Sequence, residues 1–358
     1  MTPTNTQCSI SEITVGQTMS AVRLESNRIA ATILIDKGAD IYKLVYQPRQ
    51  MDVLWKTPWG INERSRGVAS SFSSEAAWLE SYPGGWQDIF PNGGDACFYK
   101  GVELNFHGEA SMSAWNLLSS TENDDFAEIE IGVRLHRSPF RIHRTMRVEA
   151  DKPVLTLAER ITNEGREEME YMWGFHPAFG APFLNGACRI DTGARSFRAD
   201  STFDGTGNPL TVGKCYAWPM GERDGAITDM SIVPALDPDN PRFAQAYLSD
   251  FESGWYAITN TEFNFGMGLV WPTEIFPYAW LWQEMFASPG FPFYQNVYTM
   301  AIEPFSSIPG RGLLAAMEAG THRTLTAGET VEAEIKAVFF ESSRGVEYMD
   351  PDGTAILR

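Results

Sequence analysis

Strict alternation over eight residues constrains this chain more than any other feature. From Glu128 to Leu135, Ile129, Ile131, Val133 and Leu135 fall on one side, and Glu128, Glu130, Gly132 and Arg134 on the other. A period of two gathers apolar side chains on one face of a pleated strand, whereas a helix would scatter them around its axis. The next run repeats the pattern, with Phe140, Ile142, Met146 and Val148 inward and Arg141, His143, Thr145 and Arg147 outward. Asp151-Lys152-Pro153 and Asn163-Glu164-Gly165 supply turn chemistry between successive runs, as an antiparallel meander requires. Phe263, Phe265, Met267 and Leu269, and later Val331, Ala333, Ile335, Ala337 and Phe339, have the same period.

Helical patterns are scarce. Ser73 to Glu80 reads as about two turns with Ser73 or Ser74 as the cap, halted by Tyr82-Pro83-Gly84-Gly85. No strand, glycine loop and helix follow one another in the way that cradles a phosphate, so nucleotide-binding α/β folds are poor candidates. The tract from Gly180 to Pro241 has weak periodicity and reads as long loops with short strands. An all-β chain of 358 residues fits one oversized sandwich, residues 1–358, better than two or three average domains.

Composition narrows the partners. With 28 Lys and Arg against 46 Asp and Glu, the formal net charge is −18. A polyanion gains nothing from displacing counterions on a phosphate backbone, so neither nucleic acid nor an anionic membrane surface is expected. Cys8, Cys97, Cys188 and Cys215 lack the close spacing of a metal site, and free thiols in a reducing compartment are expected. The polar opening MTPTNTQCSISEITVG has no secretory leader pattern, and no apolar run reaches spanning length, so a soluble, cytoplasmic protein is expected. The 22 Phe, 12 Tyr and 11 Trp bear more directly on function, because flat rings suit a ligand with flat faces.

Three residues stand in unusual surroundings. His107 lies in NFHGEASMSAW, where Gly108 permits a tight turn. His176 ends the aromatic run EYMWGF and precedes Pro177, which forces it into extended backbone. Glu303 closes the apolar run Met300, Ala301, Ile302 before Pro304; burial there would raise its proton affinity toward that of a general base. Each taken alone is also compatible with an ordinary loop histidine or strand-end glutamate. His136, His143 and His322 sit in strand or surface patterns and read as solvated.

Taken together, HG with a downstream tryptophan, then N-x-G followed by GFHPAF, then IEPF-x-x-x-P resemble the aldose 1-epimerase, or galactose mutarotase, superfamily. The resemblance covers roughly Arg28 to Phe340. It implies a β-supersandwich of two large curved antiparallel sheets with a sugar in an open cleft and neither metal nor cofactor. It further implies that Glu303 takes the proton of the anomeric hydroxyl, that His176 protonates the ring oxygen, and that His107 hydrogen-bonds nearby. Ring opening, rotation about C1–C2 and reclosure would then interconvert α and β anomers of a hexose.

The segment before His107 reads SYPGGWQDIFPNGG and contains no arginine between Gly67 and His107, where galactose-type enzymes carry a sugar-binding one. Trp86, Gln87, Asp88 and Asn92 are the groups it offers to a substrate instead, and FPYAWLWQE adds Trp282 and Glu284. Trp59 and Trp280 are further platforms or core rings. Two other functions fit the same residues. One is an epimerase for a phosphorylated or sulfonated hexose, with Arg64 and Arg66 as the cations. The other is a carbohydrate-binding protein without turnover. Oligomeric state is not readable.

Overall fold

The computed structural model describes residues 7–62 and 73–358. Two large antiparallel sheets dominate it. The first, of twelve strands, runs in the order Cys8–Val15, Met19–Ser26, Ile29–Leu34, Asp40–Tyr46, Trp86–Ile89, Gly174–Gly180, Tyr298–Phe305, Tyr278–Met285, Arg242–Ser249, Ser196–Ala199 and Cys215–Ala217, with Met51–Asp52 paired to the fourth. The second, of eight strands, runs Cys188–Thr192, Gly254–Asn260, Phe265–Trp271, Thr330–Phe340, Val154–Asn163, Phe140–Glu149, Phe126–Arg134 and Asn116–Glu122. The all-β class and the large antiparallel sheets read from the sequence are therefore present.

The alternating runs form strands for the reason that their pattern suggests. Ile129, Ile131, Phe140, Ile142, Met146 and Val148 point into one apolar core together with Leu24, Phe175, Phe179, Met300 and Ile302. Each such side chain contributes roughly 1.5–3 kcal/mol by leaving water. One inward position is not apolar. Arg144 lies between Ile142 and Met146 on the buried face, only 2% exposed. It forms ion pairs with Asp88 at 2.9 Å and with Glu159 at 2.6 Å, and its guanidinium stands 4.6 Å from the Trp115 ring centroid. Asp88 belongs to the first sheet and Arg144 to the second, so this network ties the two together.

Residues on the first sheet's opposite face point away from the second sheet. The middle strands are nonetheless buried on both sides, because helix Ser74–Ser81 and several long loops roof that outer face. Ser73 caps the helix, its side chain accepting from the Ala76 amide, as the sequence suggested.

Candidate active site

Strand register assembles the site. Gly174 pairs with Phe305 and Ala178 with Ala301, so His176 stands opposite Glu303. Glu303 pairs in turn with Trp280, and Trp280 with Tyr247. Directly opposed residues of antiparallel strands project to the same face, so these four side chains form one row across the roofed side. Glu303 belongs to a strand buried throughout, and Trp280 and Trp282 to a strand in which only Tyr278 and Trp282 are partly exposed, so aromatic and polar groups stand there without any exposed face.

His176 Nε2 lies 3.7 Å from Glu303 Oε1, and His176 Nδ1 lies 3.5 Å from the Tyr82 hydroxyl. His176 is 5% exposed and Glu303 2%. Burial holds the Glu303 carboxyl well above the usual carboxylate range. Burial likewise pushes the His176 imidazole down to about 4, and the Lys37 charge acts in the same direction. Both effects favour the uncharged forms. Glu303 Oε2 is buried with no hydrogen-bond partner among the described residues.

His107 approaches from a loop, its ring centroid 5.7 Å from that of His176. It has φ 55° and is followed by Gly108 at φ 75°. These two left-handed residues turn the chain so sharply that Glu109 and Ala110 both donate to Phe90 O. A Cβ at residue 108 would stand 2.4 Å from that same oxygen, so the turn needs glycine. The Gly94 amide donates to His107 Nδ1 at 3.1 Å. A backbone N–H can only donate, so Nδ1 accepts and Nε2 carries the proton of the neutral ring. Burial, with the charges of His176 and Lys37, holds this imidazole well below its ordinary value.

All three residues line a cavity of about 670 Å³. Trp78, Tyr82 and Phe106 form one wall, Trp282 and Phe293 another, and Phe203 and Phe243 a third. The polar lining includes Gln245, Thr202, Ser288, Glu75, Asp95, Asp204 and Arg311. Arg311 is the single cationic side chain among the described lining residues. It pairs with Asp95 at 2.8 Å and lies 4.7 Å from the Phe203 ring centroid. No group of three or more metal-ligating side chains occurs among the described residues, and no helix there is long and apolar enough to cross a membrane.

The remaining sequence candidates divide by strand face. Trp282 lines the cavity, its ring 5.8 Å from that of His176. Trp280 lines it as well, stacked on Phe305 at 3.7 Å. Trp86, Gln87, Asp88, Asn92 and Glu284, expected from the sequence as sugar contacts, are not among the residues that line it. Trp86 and Asp88 face the core between the sheets, where Trp86 meets Phe175 edge-on and Asp88 meets Arg144. Gln87 shares the face of His176 but is wholly covered, donating to Asp40. Asn92 holds the loop under Gly94, donating to Asp95 O and Asn105 O and accepting from the Leu313 amide. Glu284 accepts from the amides of Ala287 and Ser288, fixing the turn after its strand. Trp59 lies beside the helix, donating to Tyr82 O, and lines a neighbouring hollow. Arg64 and Arg66 lie outside the described residues.

Sequence reasoning missed Trp78, Tyr82, Phe203, Phe243, Gln245 and Arg311. Of these, only Trp78 and Tyr82 had a signal, being aromatic residues of the Ser74–Ser81 helix and its stop.

Solved structures similar to this chain share its architecture. A galactose mutarotase-like protein from Clostridium acetobutylicum superposes with a TM-score of 0.65 at 17% identity, covering 94% of this chain and 100% of its own. A proposed aldose 1-epimerase from Klebsiella pneumoniae gives 0.70 at 14% identity, covering 94% and 84%. A galactose mutarotase related enzyme from Lactobacillus acidophilus gives 0.57 at 16% identity, covering 92% and 100%. No curated protein matches the sequence. The model of the family described as Domain of unknown function (DUF4432) matches residues 16–211. The two sheets, the roofed face and the match over more than half of its length place this chain in the DUF4432 family, with a galactose mutarotase-like fold.

Proposed function

We propose that this protein is an aldose 1-epimerase acting on an uncharged aldose. The observation that carries the reading is the pairing of His176 and Glu303, buried and 3.7 Å apart, at the floor of an aromatic cavity. Interconverting anomers requires a proton to leave the anomeric hydroxyl while another reaches the ring oxygen. Glu303 takes the first and His176 supplies the second. The C1–C2 bond rotates in the open form, and the two groups exchange roles as the ring recloses on its other face.

The proton inventory fits a reversible exchange. At rest the pair holds one proton, on Glu303, because burial disfavours both charged forms. A sugar hydroxyl entering beside Glu303 Oε2 supplies the donor that this buried oxygen lacks, stabilising the carboxylate and releasing the proton toward His176. His107, with Nε2–H directed by its bond from Gly94, donates to the ring oxygen or an adjacent hydroxyl.

The wall favours a neutral sugar over a phosphorylated or sulfonated one. Besides the protonated Glu303, its described lining carries three carboxylates (Glu75, Asp95 and Asp204) against Arg311 alone, and Asp95 already engages that guanidinium. Saturation-transfer NMR across a panel of free aldoses tests the reading. Acceleration of anomer exchange by the wild type, reduced about 10²–10⁴-fold in Glu303→Gln, supports it. Binding of the same sugars with no acceleration by the wild type would assign the cavity to a carbohydrate-binding protein instead.

A further inference from the structure

Tyr82 caps the roofing helix with its side chain buried. Its ring stacks on Trp78 at 4.6 Å between centroids and tilts against Trp55 at 5.8 Å. The backbone holds it as well, its amide donating to Leu79 O and its carbonyl accepting from Trp59 Nε1. So placed, the phenol meets His176 with the two rings at 81° and its hydroxyl 3.5 Å from Nδ1. Burial pushes the hydroxyl well above its ordinary value, so an O–H faces the imidazole and not a phenolate.

An uncharged imidazole has one donor and one acceptor nitrogen. Which is which in His176 follows from what surrounds it. Nε2 faces Glu303 Oε1 at 3.7 Å, and burial keeps a proton on that carboxyl. On Oε2, which has no partner among the described residues, the proton would be stranded; on Oε1 it points at Nε2. A second proton on Nε2 would set donor against donor across that gap, whereas a bare Nε2 accepts. Against the larger effect of burial, a hydrogen bond from the ring to the backbone of His176 itself favours a ring proton. Nδ1, bonded directly to Cγ, is the nitrogen that reaches a residue's own backbone. A proton on Nδ1 therefore has two acceptors at hand, that backbone and the Tyr82 oxygen.

We propose that Tyr82 is a positioning residue that holds His176 as its Nδ1–H tautomer and so turns a bare Nε2 toward Glu303. The two histidines are then set in opposite senses, because the Gly94 amide fixes His107 with its proton on Nε2. One ring offers the cavity an acceptor and the other a donor. The part this plays in turnover rests on the epimerase reading above. Nε2 takes the Glu303 proton and passes it to the ring oxygen, while Glu303 takes the proton of the anomeric hydroxyl. Nδ1 keeps its own proton throughout, so both residues end as they began. The phenol proton of Tyr82 is left to meet an oxygen of the molecule in the cavity, which Tyr82 lines.

Nitrogen NMR of the intact, sugar-free protein carrying isotope-labelled histidine tests this at neutral pH, where both rings are uncharged. His176 is expected to show a protonated Nδ1 and an unprotonated Nε2, and His107 the reverse. A protonated Nε2 in His176 would overturn the proposal. In Tyr82→Phe the Nδ1 and Nε2 signals of His176 should move toward one another as the second tautomer gains population, while kcat for anomer exchange falls on the order of tenfold. Unmoved His176 signals in the folded variant would take the role from Tyr82. Should that variant fail to fold, Trp78→Phe loosens the stack on Tyr82 and should move the same signals in the same sense; unmoved signals there count against the idea. Because the tautomers are read without sugar, failure of the epimerase assay and failure of the tautomer assignment are distinguishable.

Discussion

Glu303 and His176 respond to pH in opposite senses. His176 titrates near 4 when folded and near 6.5 when free. The unfolded chain binds the extra proton between those values, so the contribution of His176 to stability is full above about 6.5 and is lost as pH falls toward 4. Glu303 keeps its proton in the folded state above the ordinary 4.5. Its contribution is present at low pH and is lost as pH rises from about 4.5 toward its raised folded value. Glu303→Gln removes that loss while preserving shape. The melting temperature of the variant should therefore gain on the wild type as pH is raised from about 5 to 9. A difference that stays constant across this range would contradict burial as the source of the shift.

At the scale of elements, the His107 turn is an exacting piece of backbone in the site. Gly108→Ala puts a Cβ at φ 75° against Phe90 O. The expected cost is about 1–3 kcal/mol in urea unfolding, with a larger proportional loss of anomer exchange because His107 moves with the turn. A variant that retains both stability and exchange would show that the loop tolerates another path. The strands around this turn were legible because alternation records which face is buried. The faces of fully buried strands were not legible in the same way. Between Trp86 and Ile89 every residue is covered, so nothing in the order WQDI tells that 86 and 88 meet the second sheet while 87 meets Asp40. His107, His176 and Glu303 could be singled out because proline, glycine and an apolar run mark their neighbourhoods. The third wall, from Thr202 to Gly205 with Phe243 and Gln245, is brought in by loops and a strand end with no periodicity to announce it.

Across the whole molecule, one buried arginine adds a charged tie to the apolar core between the sheets. Arg144 bridges Asp88 and Glu159, and also donates to Ala39 O at 3.3 Å. Burial and mutual repulsion push the Asp88 carboxyl well up, and Arg144 opposes that. Replacing Arg144 with Met strands two carboxyls in the core, with an expected loss of about 3–5 kcal/mol by denaturant titration. Combining Arg144→Met with Asp88→Leu and Glu159→Leu should recover much of this loss, since an apolar core of similar volume needs no counter-ion. A triple variant no more stable than Arg144→Met would argue that the network shapes the packing rather than balancing charge.

The register that sets His176 beside Glu303 joins parts of the chain that are synthesised far apart. Both histidines lie within the stretch 16–211 matched by the family model, and the carboxylate lies beyond it. A growing chain thus holds its imidazoles long before it holds their partner, and local structure alone cannot complete the pair. Competence arrives only when the 298–305 strand inserts between the 174–180 and 278–285 strands. Closing such distant contacts is among the slower events of folding. The half-formed sheet meanwhile offers an unpaired edge along the 174–180 strand, the place at which a truncated or stalled chain would first capture a neighbour instead of its own missing strand.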